Sequence, residues 1–192
     1  MNIIENFIYT KKLNLNIPVL QESAIKMNDF ISEHFSNSTN AHDIRLALSS
    51  RMFREYNMLL YPFDQFHELY HEIRNTFFEI IGKSDKKYYL GSWLNYYKKN
   101  NSFPWHEHND WEWHGFVCID SEGSRTTYKL PDGQIVDIPN ENGLLVISKT
   151  KDAPHRTWPW PHEDKPRITM AFDIGPHTSV NIPEWKNHWI PL

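Results

Sequence analysis

Between Tyr88 and Ile174 the chain is cut into short β-favouring runs at regular intervals, and this punctuation constrains its fold more than any other feature. The runs are Tyr88 to Tyr97, Trp113 to Ile119, Arg125 to Leu130, Gln134 to Ile138, Leu144 to Ile147 and Ile168 to Ile174. Turn residues separate them, as in Pro131-Asp132-Gly133 and Asn140-Glu141-Asn142-Gly143. Short strands must find neighbours for their backbone groups, and tight turns make those neighbours antiparallel. The pattern predicts a sandwich or barrel.

The first 87 residues read differently. From Pro18 to Phe35, apolar residues at Val19, Leu20, Ala24, Ile25, Met27, Phe30, Ile31 and Phe35 suit one face of a helix. Ser36-Asn37-Ser38-Thr39-Asn40 then reads as a loop. Phe63, Phe66, Leu69, Tyr70, Ile73, Phe77, Ile80 and Ile81 form a clearer helical stripe, opened by Pro62 and closed by Gly82. Helices followed by strands predict α+β packing in which helices brace one sheet of a jelly roll. No linker or repeat divides the 192 residues, so one domain is expected. It has a mainly helical extension over 1–87, a β core over 88–174 and an irregular tail over 175–192.

Composition narrows the function classes. A net charge of -4 and no basic run longer than Lys98-Lys99 leave nothing to draw in nucleic acid. The single cysteine, Cys118, lies in the apolar run Gly115-Phe116-Val117-Cys118-Ile119 and reads as a buried small hydrophobe in a reducing compartment. No run reaches the ~18 apolar residues of a spanning helix, and the N-terminus lacks a signal-peptide pattern, so a cytoplasmic protein is expected.

The chemistry concentrates in Trp105-His106-Glu107-His108-Asn109-Asp110, followed downstream by His155 and Arg167. A His and an Asp two residues apart on an extended segment point the same way, and one distant His completes three ligands on one face of an ion. His108, Asp110 and His155 thus form a candidate two-His-one-carboxylate site, the arrangement that leaves positions open on non-haem Fe(II). The residues leave a second register open. His106 and His108 can form the proximal pair instead, which makes Asp110 a partner behind the ligands; in the first register His106 is that partner or a substrate contact. His114 stands nearby on the following strand.

Arg167 and Thr169 share a strand face, where a guanidinium fork and a hydroxyl can hold the far carboxylate of an oxo acid. The plainer role for Arg167 is a rim salt bridge with Glu163 or Asp164. Trp158 and Trp160, in a proline-rich segment that excludes a regular helix, are candidate pocket-lining residues. Other catalytic templates fail: there is no phosphate-binding glycine loop, no nucleophile elbow and no exposed thiol.

Taken together, the residues from Trp93 to Ile174 resemble the Fe(II)/2-oxoglutarate-dependent oxygenases, particularly compact bacterial and phage forms. Trp93-Leu94-Asn95-Tyr96 looks like the strand that opens their core, and His106 to Asp110 like their proximal ligand strand. Gly123-Ser124-Arg125-Thr126-Thr127-Tyr128 is similar to their Gly-x-x-Thr-x-Phe strand, and Asn142 to Ile147 leads to the distal His155. Arg167-Ile168-Thr169-Met170-Ala171-Phe172 looks like the strand that holds 2-oxoglutarate. The doubled His before Asp110 departs from the pattern.

The resemblance implies a double-stranded β-helix of cupin-like jelly-roll form. It further implies Fe(II), 2-oxoglutarate and O2 as cofactor and cosubstrates, and contacts to the cosubstrate from Asn95 and Tyr128. The implied reaction is hydroxylation of a small molecule, amino acid or peptidyl side chain, coupled to decarboxylation of 2-oxoglutarate to succinate and CO2. A phage-encoded chain would act in the host cytoplasm. Two rivals remain: a cupin-like metal enzyme without an oxo acid, such as an isomerase or dioxygenase, and a non-catalytic jelly-roll module whose aromatics stack on a ligand.

Overall fold

The computed structural model describes residues 1–35, 48–49, 57–108, 110–176 and 189–192. Helix α1 spans Ile17–Phe35 and α2 spans Asp64–Ile81. Asn16 caps α1, its side-chain oxygen accepting from the Val19 amide at 3.4 Å. Gly82 ends α2 with φ 72°, a conformation that spares glycine the side-chain clash, and its N–H donates to the Phe78 carbonyl. Both helices match the periodicity in the sequence. The Ser36 to Asn40 loop and residues 177–188 of the tail lie outside the described residues.

Eleven strands are present among the described residues: β1 (Asn2–Ile4), β2 (Ile8–Lys12), β3 (Leu48–Ser49), β4 (Tyr88–Tyr97), β5 (Trp113–Asp120), β6 (Ser124–Lys129), β7 (Ile135–Asn140), β8 (Leu144–Lys149), β9 (His155–Thr157), β10 (Arg167–Pro176) and β11 (Trp189–Pro191). The larger sheet runs β1-β2-β8-β5-β10-β4-β11, with β3 also paired to β4; the smaller runs β7-β6-β9. All pairings are antiparallel. Two facing sheets braced by helices make an α+β double-stranded β-helix; the spacing of the runs predicted the antiparallel sheets, and the resemblance implied this form of them.

Alternation along the strands sorts the side chains between two cores. On β10, Ile168, Met170, Phe172 and Ile174 join Leu90 and Leu94 of β4, Trp113, Val117 and Ile119 of β5, and the apolar stripes of α1 and α2. The opposite faces meet between the sheets, where Trp93, Phe116, Cys118, Val146 and Ala171 pack on Tyr128 and Ile138 of the smaller sheet. Arg167, Thr169 and Asp173 share that inner face with Ala171. The strand thus presents polar groups to the space between the sheets while its apolar face fixes it to the helices.

Short strands at both ends of the chain add to the expected elements. The N-terminal region is not only helical: β1 and β2 form a hairpin, turned through Glu5 and Asn6 at φ 50° and 51°, and β2 pairs with β8. The tail is not wholly irregular, because Trp189–Pro191 forms β11 against β4. β2 and β11 are short, and each pairs with a strand far away in sequence, so neither carries a strong local signal. No described helix is long and apolar enough to cross a membrane.

Candidate metal centre

The site is built from the inner faces of both sheets. His155 is the first residue of β9, and its backbone makes a reciprocal pair of hydrogen bonds with His106 at 3.0 Å each. This single bridge continues the smaller sheet beyond β9 and sets the two imidazoles side by side, with ring centroids 4.3 Å apart. His108 follows two residues later and lies 5.3 Å from each of those rings. One ring nitrogen from each of His106, His108 and His155 falls within 4.8 Å of the others, close enough for a shared ion.

A second group overlaps the first. His114 of β5 stands opposite Asp173 of β10 in the sheet register, and its Nδ1 lies 3.0 Å from Asp173 Oδ1. His108 Nδ1 approaches the same oxygen at 2.9 Å, although off the direction of a hydrogen bond, so both of its ring nitrogens stay without a hydrogen-bond partner. His108 and His114 stack with centroids 3.8 Å apart. The sequence reading did not single out Asp173. The signal was present, since it is an acid on the same strand face as Arg167 and Thr169, within an otherwise apolar strand.

Electrostatics hold His155 and His114 neutral and Asp173 charged. Burial and then the neighbouring imidazoles hold His155 well below the ordinary histidine value. Burial, with His108 adding to it against the pull of Asp173, pushes His114 down to about 3. Burial also opposes charge on Asp173, but His108 and His114 overcome it and hold the carboxyl well below its ordinary range. Neutral imidazoles are the form that binds metal.

Arg167 is the other unusual group. It is 1% exposed, its guanidinium lies 4.6 Å over the Tyr97 ring, and Nε and Nη1 have no hydrogen-bond partner. The alternative role for Arg167, a rim salt bridge, is absent among the described residues, where Glu163 pairs with Lys99 instead. Thr169 Oγ1 accepts from Asn95 Nδ2 at 3.4 Å, and Asn95 Oδ1 is unpartnered. These three residues and the imidazoles of His106, His108, His114 and His155 line one cavity with ≈ 470 Å³ of atom-free space, solvent at its mouth included. A buried cation without an anion is costly unless a ligand completes it.

The remaining candidates fall elsewhere. Asp110 sits in an exposed turn and belongs to neither group of potential ligands, whereas His106, His108 and His155 share one. The chain turns at this point, with the Trp111 amide donating to the His108 carbonyl, and the acid no longer follows strand alternation. Tyr128 does not line the cavity; it is buried behind it, its ring 5.1 Å from His155. Trp158 is 36% exposed on the outer face of the smaller sheet, between Arg125 and Arg156. Trp160 is buried with Tyr97 and Phe103 and donates to the Lys165 carbonyl, so it supports the wall beneath Arg167 rather than lining the pocket.

No family model matches the chain, and no curated protein matches it. Solved structures do. A viral collagen prolyl hydroxylase from Paramecium Bursaria Chlorella virus-1, solved as a 2-oxoglutarate complex, aligns with TM-score 0.54 and 12% identity over 88% of this chain and 94% of that one. A Pseudomonas putida prolyl-4-hydroxylase aligns with TM-score 0.57 and 12% identity over 86% and 91%. The non-haem α-ketoglutarate-dependent epimerase SnoN of nogalamycin biosynthesis gives TM-score 0.60 and 11% identity over 88% and 77%. At these identities the likeness is one of fold: the chain has the double-stranded β-helix architecture of these enzymes.

Proposed function

We propose that this chain is a non-haem Fe(II)- and 2-oxoglutarate-dependent oxygenase, a hydroxylase of a small molecule, an amino acid or a peptidyl side chain. The observation that carries the reading is Arg167, a buried guanidinium with unpaired nitrogens in the same cavity as three potential imidazole ligands. A metal site alone needs no such cation. An oxo acid that binds metal at one end and presents a carboxylate at the other needs both.

The residues fit that ligand. His106, His108 and His155 would hold the iron through neutral imidazoles. Arg167 would take the far carboxylate as a bidentate fork, stiffened by the Tyr97 ring beneath it. Thr169 keeps its hydroxyl proton free to donate to the same carboxylate, because its oxygen accepts from Asn95. Trp93, Phe116 and Ala171 on the cavity wall exclude water from the reacting centre. When bound, the iron and 2-oxoglutarate supply the oxidising chemistry, with O2 consumed and succinate and CO2 released.

The test is an anaerobic titration of the Fe(II)-loaded protein with 2-oxoglutarate, followed by the visible charge-transfer absorption of an oxo acid chelated to ferrous iron. A saturable band supports the reading. Bound iron with no band would favour a cupin-like metal enzyme without an oxo acid, which the grouping of three imidazoles without Asp110 also accommodates.

A further inference from the structure

Helix α2 carries two histidines that the cavity does not use. His67 and His71 are four residues apart, one turn along the helix, and both are exposed. The apolar stripe of α2, with Phe66, Leu69, Ile73 and Phe77, packs on the larger sheet and leaves these imidazoles in solvent. The two Nε2 atoms lie 3.1 Å apart, whereas the ring centroids are 4.6 Å apart and the ring planes stand at 89°. The rings therefore converge through one nitrogen each.

That separation suits a shared ion. Two imidazoles at metal–nitrogen distances of about 2.0–2.1 Å span 3.1 Å when the angle at the ion is about 95–102°, between the square-planar and tetrahedral angles. Without an ion, one Nε2 donates its proton to the other. Moving that proton through water to Nδ1 of the same ring frees both Nε2 lone pairs with no change in net charge. His71 is held in place, because its ring packs edge-on against Tyr70 at 5.3 Å and the Tyr70 hydroxyl donates to the Pro191 carbonyl at 2.7 Å. Local charge also favours a cation. From Phe63 to Ile73 the chain carries Asp64, Glu68 and Glu72 and no Lys or Arg, and only Glu72 of these acids has an ion pair among the described residues, with Lys11.

We propose that His67 and His71 form a second metal site, a two-imidazole chelate on the surface of α2 for a late first-row divalent ion such as Ni(II), Cu(II) or Zn(II), with Cu(II) held most tightly. The pair belongs to no larger ligand group among the described residues, so water or an external ligand completes the coordination and the ion is exchangeable. Fe(II) stands lower in the same affinity order, so the site does not compete with the cavity for iron. A chelate across one turn ties residues 67 and 71 together, and the bound ion stabilises α2 according to its free concentration. The site stands on its own observations and holds whatever the cavity binds.

Cu(II) is the probe, counted by equilibrium dialysis at pH 8 and low micromolar free metal in the wild type, His67→Ala, His71→Ala and the double variant. Both positions are exposed and alanine is the better helix former, so each variant folds. The expected result is that each single variant binds one Cu(II) fewer than the wild type and that the double variant also binds one fewer, because a chelate fails when either arm is removed. A wild-type count in either single variant, or two ions lost in the double variant, would overturn the chelate. The same set in a His155→Ala background should give the same difference of one ion. A difference that disappears there would put the ion in the cavity and overturn the second site. A missing charge-transfer band with 2-oxoglutarate would sink the oxygenase reading and leave these counts untouched.

Discussion

At the scale of single residues, the proposed function assigns metal binding and cosubstrate binding to different side chains. His155→Ala is expected to abolish iron binding. Arg167→Ala should leave iron bound and weaken 2-oxoglutarate by about 2–5 kcal/mol, the range for losing one partner of a buried charge pair. Equilibrium dialysis of iron and the anaerobic titration check the two separately, and equal loss of both ligands in each variant would contradict these roles. Acid acts on the same cluster. His114 titrates at about 3 in the folded protein against 6.5 for an unperturbed histidine, and His155 is lowered in the same direction. The unfolded chain therefore takes up protons first. The stability these residues contribute is complete above about pH 6.5 and falls as the pH drops from there toward 3. Urea midpoints of the metal-free protein should hold from pH 8 to 7 and decline below 6.5, and a flat profile down to pH 4.5 would show that the imidazoles are not held neutral.

At the scale of elements, strand alternation does most of the positioning. Because successive side chains leave β10 on opposite faces, Ile168, Met170 and Phe172 anchor the strand to the helices while Arg167, Thr169 and Asp173 face the smaller sheet. This was legible in the sequence, and so was the shared face of Arg167 and Thr169. The anchoring has one tight point. A Cβ on Gly115 of β5 would lie 2.3 Å from the Phe172 ring and 2.5 Å from the Val146 carbonyl oxygen. Gly115→Ala should therefore force β5 and β10 apart and destabilise the protein by about 1–3 kcal/mol. Its denaturation midpoint measures this, and a stability equal to the wild type would mean that Phe172 can turn aside at no cost. The three residues of β9 were less legible, because a strand so short has no period to read and is defined by its pairing with β6 and His106.

At the scale of the whole molecule, closure depends on contacts between the ends of the chain and its middle. β2 lies beside β8, and Ile8 is fully buried between the sheets with Trp93, Phe116 and Val146. Ile8→Ala should destabilise by about 2–5 kcal/mol, as for other large-to-small core changes. Thermal and urea unfolding test this, and a change under 1 kcal/mol would mean that the N-terminal hairpin is an appendage. The sequence by itself determined the two helices, the six long strands and their α+β order, because amphipathic period and turn chemistry are local properties. It also supplied residue types suited to binding metal and carboxylate, including His155 and Arg167. Tertiary structure alone decided which of those residues meet. A turn after His108 takes Asp110 to the surface, a sheet register sets Asp173 opposite His114, and a single bridge brings His106 beside His155. Each of these depends on pairing between segments distant in the chain, and no local pattern encodes such pairing.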